Sequence, residues 1–284
     1  TVRYSWLTIV MILARFRSRC SSLTARTVKS DFFGSDRLVP PTSALTSTAV
    51  TAAFSGFAMT RQIPVNFVSQ GVTSVDLARA VLMCEGIVAV PTDTVYGIAG
   101  LAQSTAAVRK MYALKQRDPL KPVAICVSRV EDVYKWAQVT VPRPLLDSLL
   151  PGAVTLLFNR TNLLNSELNP DTSLVGVRVP DSKFIRALSW AVGGPLALTS
   201  ANVSSMTSPL SVEEFFGLWP QLDLIVDGGP LCQLGSPQRE QRKGSTVVDL
   251  SAEGYFKVVR PGCWLKITKD LLLEHGLVEA KDPA

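Results

Sequence analysis

The chain has 284 residues, 47% of them apolar and 18% charged, enough to bury a sizeable core as one large domain or two small ones. Five cysteines (Cys20, Cys84, Cys126, Cys232, Cys263), widely spaced and without a CxxC pair, argue against a disulfide framework and a zinc site, and the single histidine, His275, all but excludes two-histidine metal sites and histidine triads. The net charge of +6 is concentrated at the N-terminus: residues 1–59 carry seven basic and two acidic side chains, the remainder 22 and 21, so the basic sum is no argument for nucleic-acid binding.

In chain order, residues 1–59 come first, with no acid before Asp31, spaced arginines, many Ser and Thr, and an apolar run at 6–14. These are features of mitochondrial presequences, and the segment reads as a targeting or disordered leader outside the fold. The apolar run is shorter than the roughly 20 residues needed to span a bilayer, so stable membrane insertion is not expected. From Val68 onward helix and strand patterns alternate. Residues 75–84 predict an amphipathic helix ended by Gly86, and 87–90 a buried strand stopped by Pro91. Ser104 can cap a helix running to Lys115, with Val108, Met111 and Tyr112 inward. Then follow a strand at 122–127, short helices at 131–137 and 145–150, and strands at 154–158 and 174–179. A helix at 182–192 is closed by Gly193-Gly194, and 196–199 is a strand. Ser211-Val212-Glu213-Glu214 reads as a capping box opening a helix toward Trp219. Strands at 224–226, 246–250 and 256–259 and a helix at 268–275 complete the chain. So many strands exceed a simple βαβ repeat, and the pattern predicts an α/β fold: a twisted mixed sheet flanked by helices, one domain over 68–265, then a helix and tail over 266–284.

The notable polar residues fall at strand ends, where α/β sheets build sites. Pro91-Thr92-Asp93-Thr94-Val95-Tyr96-Gly97 follows a strand, and Lys115, Arg117 and Lys121 lie between a helix end and the next strand. Arg178 sits inside the apolar Leu174-Val175-Gly176-Val177-Arg178-Val179-Pro180, where a charge needs a partner. Ser200-Ala201-Asn202 follows a strand, Ser245-Thr246 opens one and Arg260-Pro261-Gly262 ends one. Cations, hydroxyls and one amide at such points form an anion pocket, because guanidinium geometry matches carboxylate and phosphate. Taken singly, each has a plainer reading. Lys115 and Arg117 complement the dipole of a helix C-terminus, and Thr92, Asp93, Ser200 and Asn202 are ordinary turn residues. The GxxxxGK[ST] and GxGxxG loops are absent, and no catalytic acid–base pair stands out.

Taken together, the Pro91–Gly97 segment, Lys115-x-Arg117 with Lys121-Pro122, Pro151-Gly152 with Thr155, Val177-Arg178-Val179-Pro180, Ser200-Ala201-Asn202, Gly244-Ser245-Thr246-Val247-Val248-Asp249 and Arg260-Pro261-Gly262 resemble the YrdC/Sua5 family of threonylcarbamoyl-AMP synthases, in its order, over about 70–263. The resemblance implies that L-threonine, bicarbonate and ATP give L-threonylcarbamoyl-adenylate and pyrophosphate, the first step of N6-threonylcarbamoyladenosine formation at position 37 of ANN-decoding tRNAs. It implies Arg117, Lys121, Asn202 and Arg260 near ATP, with Lys115 and Arg117 as the catalytic cations, and Thr94, Arg178, Ser200 and Ser245 near threonine. Mg2+ is expected to arrive with ATP, held by phosphate oxygens and water rather than by a protein cage. A downstream tRNA threonylcarbamoyl transferase complex would consume the adenylate, in mitochondrion and cytoplasm. Three positions depart from the family: Cys126 where some members carry histidine, Leu210 where threonine is frequent, and Ser205 where glycine follows the Ser-Ala-Asn motif. Two other readings are a non-catalytic module binding tRNA or double-stranded RNA, for which the nearly neutral body offers few phosphate contacts, and a carbamoyl-transfer domain like those of hydrogenase maturation.

Overall fold

The computed structural model describes residues 62–66, 68–69, 72–115, 122–203, 206–231 and 242–280. The expected leader, Arg117, Lys121, Ser205 and Cys232 lie outside the described residues. The first half runs β1 (Gln62–Pro64), β2 (Val68–Ser69), β3 (Val72–Thr73), α1 (Ser74–Met83), β4 (Val88–Val90), β5 (Gly97–Leu101), α2 (Thr105–Lys115), β6 (Ala124–Cys126), a 3-10 turn (Val130–Asp132) leading into α3 (Val133–Trp136), β7 (Ala137–Gln138) and α4 (Arg143–Leu149). The second runs β8 (Val154–Arg160), β9 (Leu174–Arg178), α5 (Lys183–Val192), β10 (Leu196–Ser200), a 3-10 stretch (Glu213–Gln221), β11 (Leu224–Asp227), β12 (Thr246–Asp249), β13 (Tyr255–Arg260), α6 (Leu265–Glu274) and β14 (Val278–Glu279). β2 and β3 form a separate antiparallel ribbon.

The strand order is β1-β11-β4-β5-β10-β6-β9-β8-β12-β13-β14, with β7 beside β8. Parallel pairs (β1 with β11, β11 with β4, β6 with β9, β8 with β12) occur beside antiparallel ones (β4 with β5, β5 with β10, β10 with β6, β8 with β9), so the sheet is mixed, as the patterns predict. Successive strand residues point to opposite faces. Ile125, Val177, Leu156 and Val248 join Val108 and Met111 of α2, Val133 of α3 and Leu145 and Leu149 of α4 in one core cluster. On the opposite face, α1 packs against α5 and lies over β4, β5 and β11. Over β6, β9, β8 and β12 that same face bears the cavity described below.

The structure departs from the predicted elements in several places. Gly97–Leu101, for which no element is predicted, is a strand. With two glycines it has little intrinsic β preference, but it is paired on both sides, by β4 and β10. The helix expected after Ser211 is a 3-10 stretch from Glu213 to Gln221 that breaks helical geometry at Phe215 and contains Pro220. No Ser211 cap forms: Val212 occupies the cap position, and the Glu214 carboxylate takes Arg242 and the Leu210 N–H instead. The sheet is also wider than 68–265, since β1 pairs with β11 and β14 with β13. α6 opens at Leu265, three residues before the expected start.

Candidate active site

A cavity of about 590 Å3 opens over β6, β9, β8 and β12. Its floor follows from register. Ala124 pairs Leu198, Gly176 pairs Leu157, and Thr155 pairs Val247, all on the face left uncovered by α1 and α5. Gly176 keeps the floor low, because a Cβ there would meet Thr155 Cγ2 at 3.0 Å and Leu157 Cδ2 at 3.1 Å. At the rim, Gly262 is required by contact: a Cβ would lie 2.2 Å from the Thr246 nitrogen, so only glycine lets this turn sit on the Ser245–Thr246 backbone.

Every expected site residue within the described residues lines this cavity: Lys115, Thr94, Arg178, Ser200, Asn202, Ser245 and Arg260, drawn from positions 94 to 260. Arg178 and Asp93 form a buried ion pair, Nη2 donating to Oδ1 at 2.8 Å, with 9% and 7% of their side chains exposed. Asp93 Oδ2 accepts the Asp181 N–H at 3.1 Å, which fixes the carboxylate. The partner the strand arginine requires is thus an acid 85 residues away, unread in the sequence. Thr94 Oγ1 lies 3.4 Å from Arg178 Nη2 and 3.2 Å from Thr92 Oγ1. Arg260 Nη2 donates to Ser245 O at 2.8 Å and Oγ at 3.2 Å, and Ser245 Oγ is 2.8 Å from Thr155 Oγ1.

Lys115 is placed differently from a cation reaching out to a ligand. It is 4% exposed, and its ammonium meets Ser200 O at 2.7 Å, Asn202 O at 2.5 Å and Asn202 Oδ1 at 3.1 Å. Asn202 Oδ1 also accepts from Ser200 Oγ at 2.5 Å, and Asn202 Nδ2 donates to Met206 O.

The electrostatics favour an anion. Among the described residues no carboxylate lines the cavity, whereas Lys115, Arg178, Lys243 and Arg260 do. Desolvation of its guanidinium first, and then the charge of Arg178, pull the Arg260 pKa below its ordinary value, so an anion bound beside Arg260 is favoured. Cys126, beside Arg178 in register, is fully buried and its thiol is pushed up to about 12, chiefly by burial, so it is not a nucleophile at neutral pH. Sequence reasoning passed over Lys243, although it adjoins the Gly244-Ser245 motif, and read Asp93 as an ordinary turn residue.

Among the described residues no group of three or more His, Cys, Asp and Glu could hold a metal. The described lining offers hydroxyls, an amide and cations, a set on which Mg2+ would be held by the oxygens of a phosphate ligand rather than by protein carboxylates.

A family model described as "Telomere recombination", covering the Sua5, YciO and YrdC proteins, matches residues 80–262. The chain is 53% identical over 205 residues to the threonylcarbamoyl-AMP synthase of Mus musculus, covering 72% of each. Its fold superposes on the crystal structure of P. abyssi Sua5 complexed with L-threonine with a TM-score of 0.58 at 26% identity, over 66% of this chain and 54% of that one, so it spans about half of that relative. Escherichia coli YciO, at 23% identity, a TM-score of 0.61 and coverage of 72% and 96%, shares the fold. Sequence motifs, sheet topology and both levels of similarity agree that the chain belongs to the YrdC/Sua5 family of threonylcarbamoyl-AMP synthases.

Proposed function

We propose that this chain condenses L-threonine, bicarbonate and ATP into L-threonylcarbamoyl-adenylate and pyrophosphate, supplying the tRNA threonylcarbamoyl transferase complex that modifies adenosine 37. The observation that carries the reading is one cavity into which the buried guanidinium of Arg178, the more exposed one of Arg260 and several hydroxyls converge, with no carboxylate among the described lining residues. The chemistry needs no protein nucleophile. The amine of threonine adds to CO2 with loss of a proton, or condenses with bicarbonate with loss of water, to give a carbamate, and a carbamate oxygen then forms the bond to the α-phosphorus as the bond to the leaving pyrophosphate breaks. The protein aligns two anions and neutralises charge.

Arg178, held by Asp93, and Thr94, Ser200 and Ser245 receive threonine; Arg260 and Asn202 face the nucleotide, with Lys243 beside them and the charge of Lys115 close by. The assignment of Arg117 and Lys121 to the phosphates rests on the Lys-x-Arg and Lys-Pro motifs. Mg2+ neutralises phosphate charge when bound. Residues 1–59 direct part of the protein to mitochondria and the rest works in the cytoplasm, a reading supported by their spaced arginines and tested by fusion to a fluorescent reporter, where wholly cytosolic signal refutes it.

The test of the activity is pyrophosphate release by the purified full chain with ATP, Mg2+ and bicarbonate, with and without L-threonine. Threonine-dependent release is expected. Its absence, with tRNA binding retained, would establish the RNA-module reading instead.

A further inference from the structure

The hydrogen bonds around Lys115 have a fixed polarity. An ammonium has only donors, so the amide atom facing it must be the oxygen of Asn202 and cannot be its nitrogen. That same Oδ1 lies 2.5 Å from Ser200 Oγ and carries no proton, so the single proton of Ser200 points to it. Ser200 Oγ is left with lone pairs only, and Ser200 lines the cavity. Lys115 also meets the carbonyls of Ser200 and Asn202, which holds this loop against the end of α2.

Across the site the polarity is reversed. Thr92 Oγ1 accepts the N–H groups of Thr94 (3.1 Å) and Val95 (3.3 Å) and donates to Val95 O at 2.7 Å. Its capacity is filled, which leaves the Thr94 hydroxyl proton for the cavity beside the donors of Arg178. One acceptor thus faces a group of donors, the pattern that suits an amino acid with its nitrogen toward Ser200 and its carboxylate toward Thr94 and Arg178.

We propose that Lys115 is a positioning residue for the amine of the amino-acid substrate: by fixing the Asn202 amide it holds Ser200 Oγ as the acceptor of a substrate N–H, and it does not serve as a direct ligand of the ATP phosphates. The inference rests on the threonine reading of this cavity. Without the lysine, the hydrogen bond from Nδ2 to Met206 O is left to orient the amide, and wherever the amide turns its nitrogen toward Ser200 the serine presents its proton to the substrate nitrogen, the wrong partner for an ammonium.

Calorimetric titration of the purified full chain with L-threonine, and separately with a non-hydrolysable ATP analogue plus Mg2+, tests this in wild type, Lys115→Met, Ser200→Ala and the double variant. Loss of a hydrogen bond to a charged group corresponds to a weakening of about tenfold or more in threonine affinity, and this is expected for Lys115→Met and for Ser200→Ala. In the double variant the loss should be no greater than in either single variant, and analogue affinity should change by less than about threefold. Ser200→Ala leaves both carbonyl contacts of Lys115 in place, so it reports even if Lys115→Met folds poorly. Loss of analogue affinity with threonine binding intact overturns the proposal, as does an equal loss of both or an additive double variant. A wild-type chain that binds no L-threonine overturns it together with the proposed function. One that binds L-threonine but releases no pyrophosphate overturns the function alone, and the binding titrations still decide the role of Lys115.

Discussion

Arg178 has two candidate partners, the Asp93 carboxylate and the carboxylate of threonine, and they can be separated by substituting both ends of the internal pair. Both side chains are more than nine-tenths buried and lie 2.8 Å apart. Removing one member strands a buried charge, at a cost of about 3–5 kcal/mol, whereas removing both is often close to neutral. Arg178→Met should therefore lower the melting temperature by about 6–20 °C, taking roughly 2–4 °C per kcal/mol for a fold of this size. Asp93→Ala should fall in the same range, and Arg178→Met with Asp93→Ala should recover most of the loss. Threonine use should not recover, because the donor to the substrate carboxylate is still missing. Thermal melts and pyrophosphate release against threonine concentration measure the two effects on the same samples. A double variant as unstable as the singles would show that the pair is not what holds this end of β9. A double variant with normal threonine use would make Arg178 a purely structural residue.

Three further outcomes follow from local geometry. Asn169 adopts φ 53° and is nearly fully buried, donating from Nδ2 to Val123 O (2.9 Å) and accepting the Val123 N–H at Oδ1 (2.7 Å). Asn169→Ala and Asn169→Gly both lose this staple, but alanine also carries left-handed strain, so it should unfold about 1–2 kcal/mol more easily than glycine in urea titrations; equal losses would refute the strain. The buried Tyr96 phenol donates to Gly229 O and accepts the Gly228 N–H, both at 2.8 Å, and burial above all raises its pKa over the ordinary value near 10. A raised folded pKa gives stability that is full below pH 10 and lost as pH rises beyond it; Tyr96→Phe should cost about 1–2 kcal/mol at pH 8 and show a shallower alkaline loss, read from urea midpoints at pH 8 and 11. Gly176→Val fills the cavity floor and should suppress pyrophosphate release while the protein still melts cooperatively, and normal turnover would show that substrates do not use that floor.

The sequence showed best those features whose physical cause is local. The helices α1, α2 and α5 are legible because each keeps an apolar stripe toward its packing partner, as Leu77, Val81 and Leu82 do in α1. The left-handed Gly193 that closes α5 is legible because few other residues adopt φ 71° at low cost. β5 is illegible for the opposite reason: Gly97-Ile98-Ala99-Gly100-Leu101 owes its extended form to the strands on either side, a property of the sheet. The 3-10 stretch was misread because Glu214 has two possible uses, and only the fold brings Arg242 within reach, Nη2 donating at 3.0 Å.

The site divides along the same line. Polar residues at strand ends are visible in a sequence, and Thr94, Lys115, Arg178, Ser200, Asn202, Ser245 and Arg260 do meet in one cavity. What they do there depends on partners far along the chain. Arg178 looks like a cation in search of a ligand until Asp93 is placed beside it, and Lys115 looks like a phosphate ligand until three protein oxygens surround it. A buried cation whose donors are engaged inside the protein keeps its charge but gives up freedom to reorient. Electrostatic stabilisation of a phosphoryl transition state requires such groups, fixed before the charge develops, so that little reorganisation remains for the reaction itself. On this reasoning the internal pairing of these cations does not count against their part in the chemistry. It is the means by which the cavity keeps its charges in place.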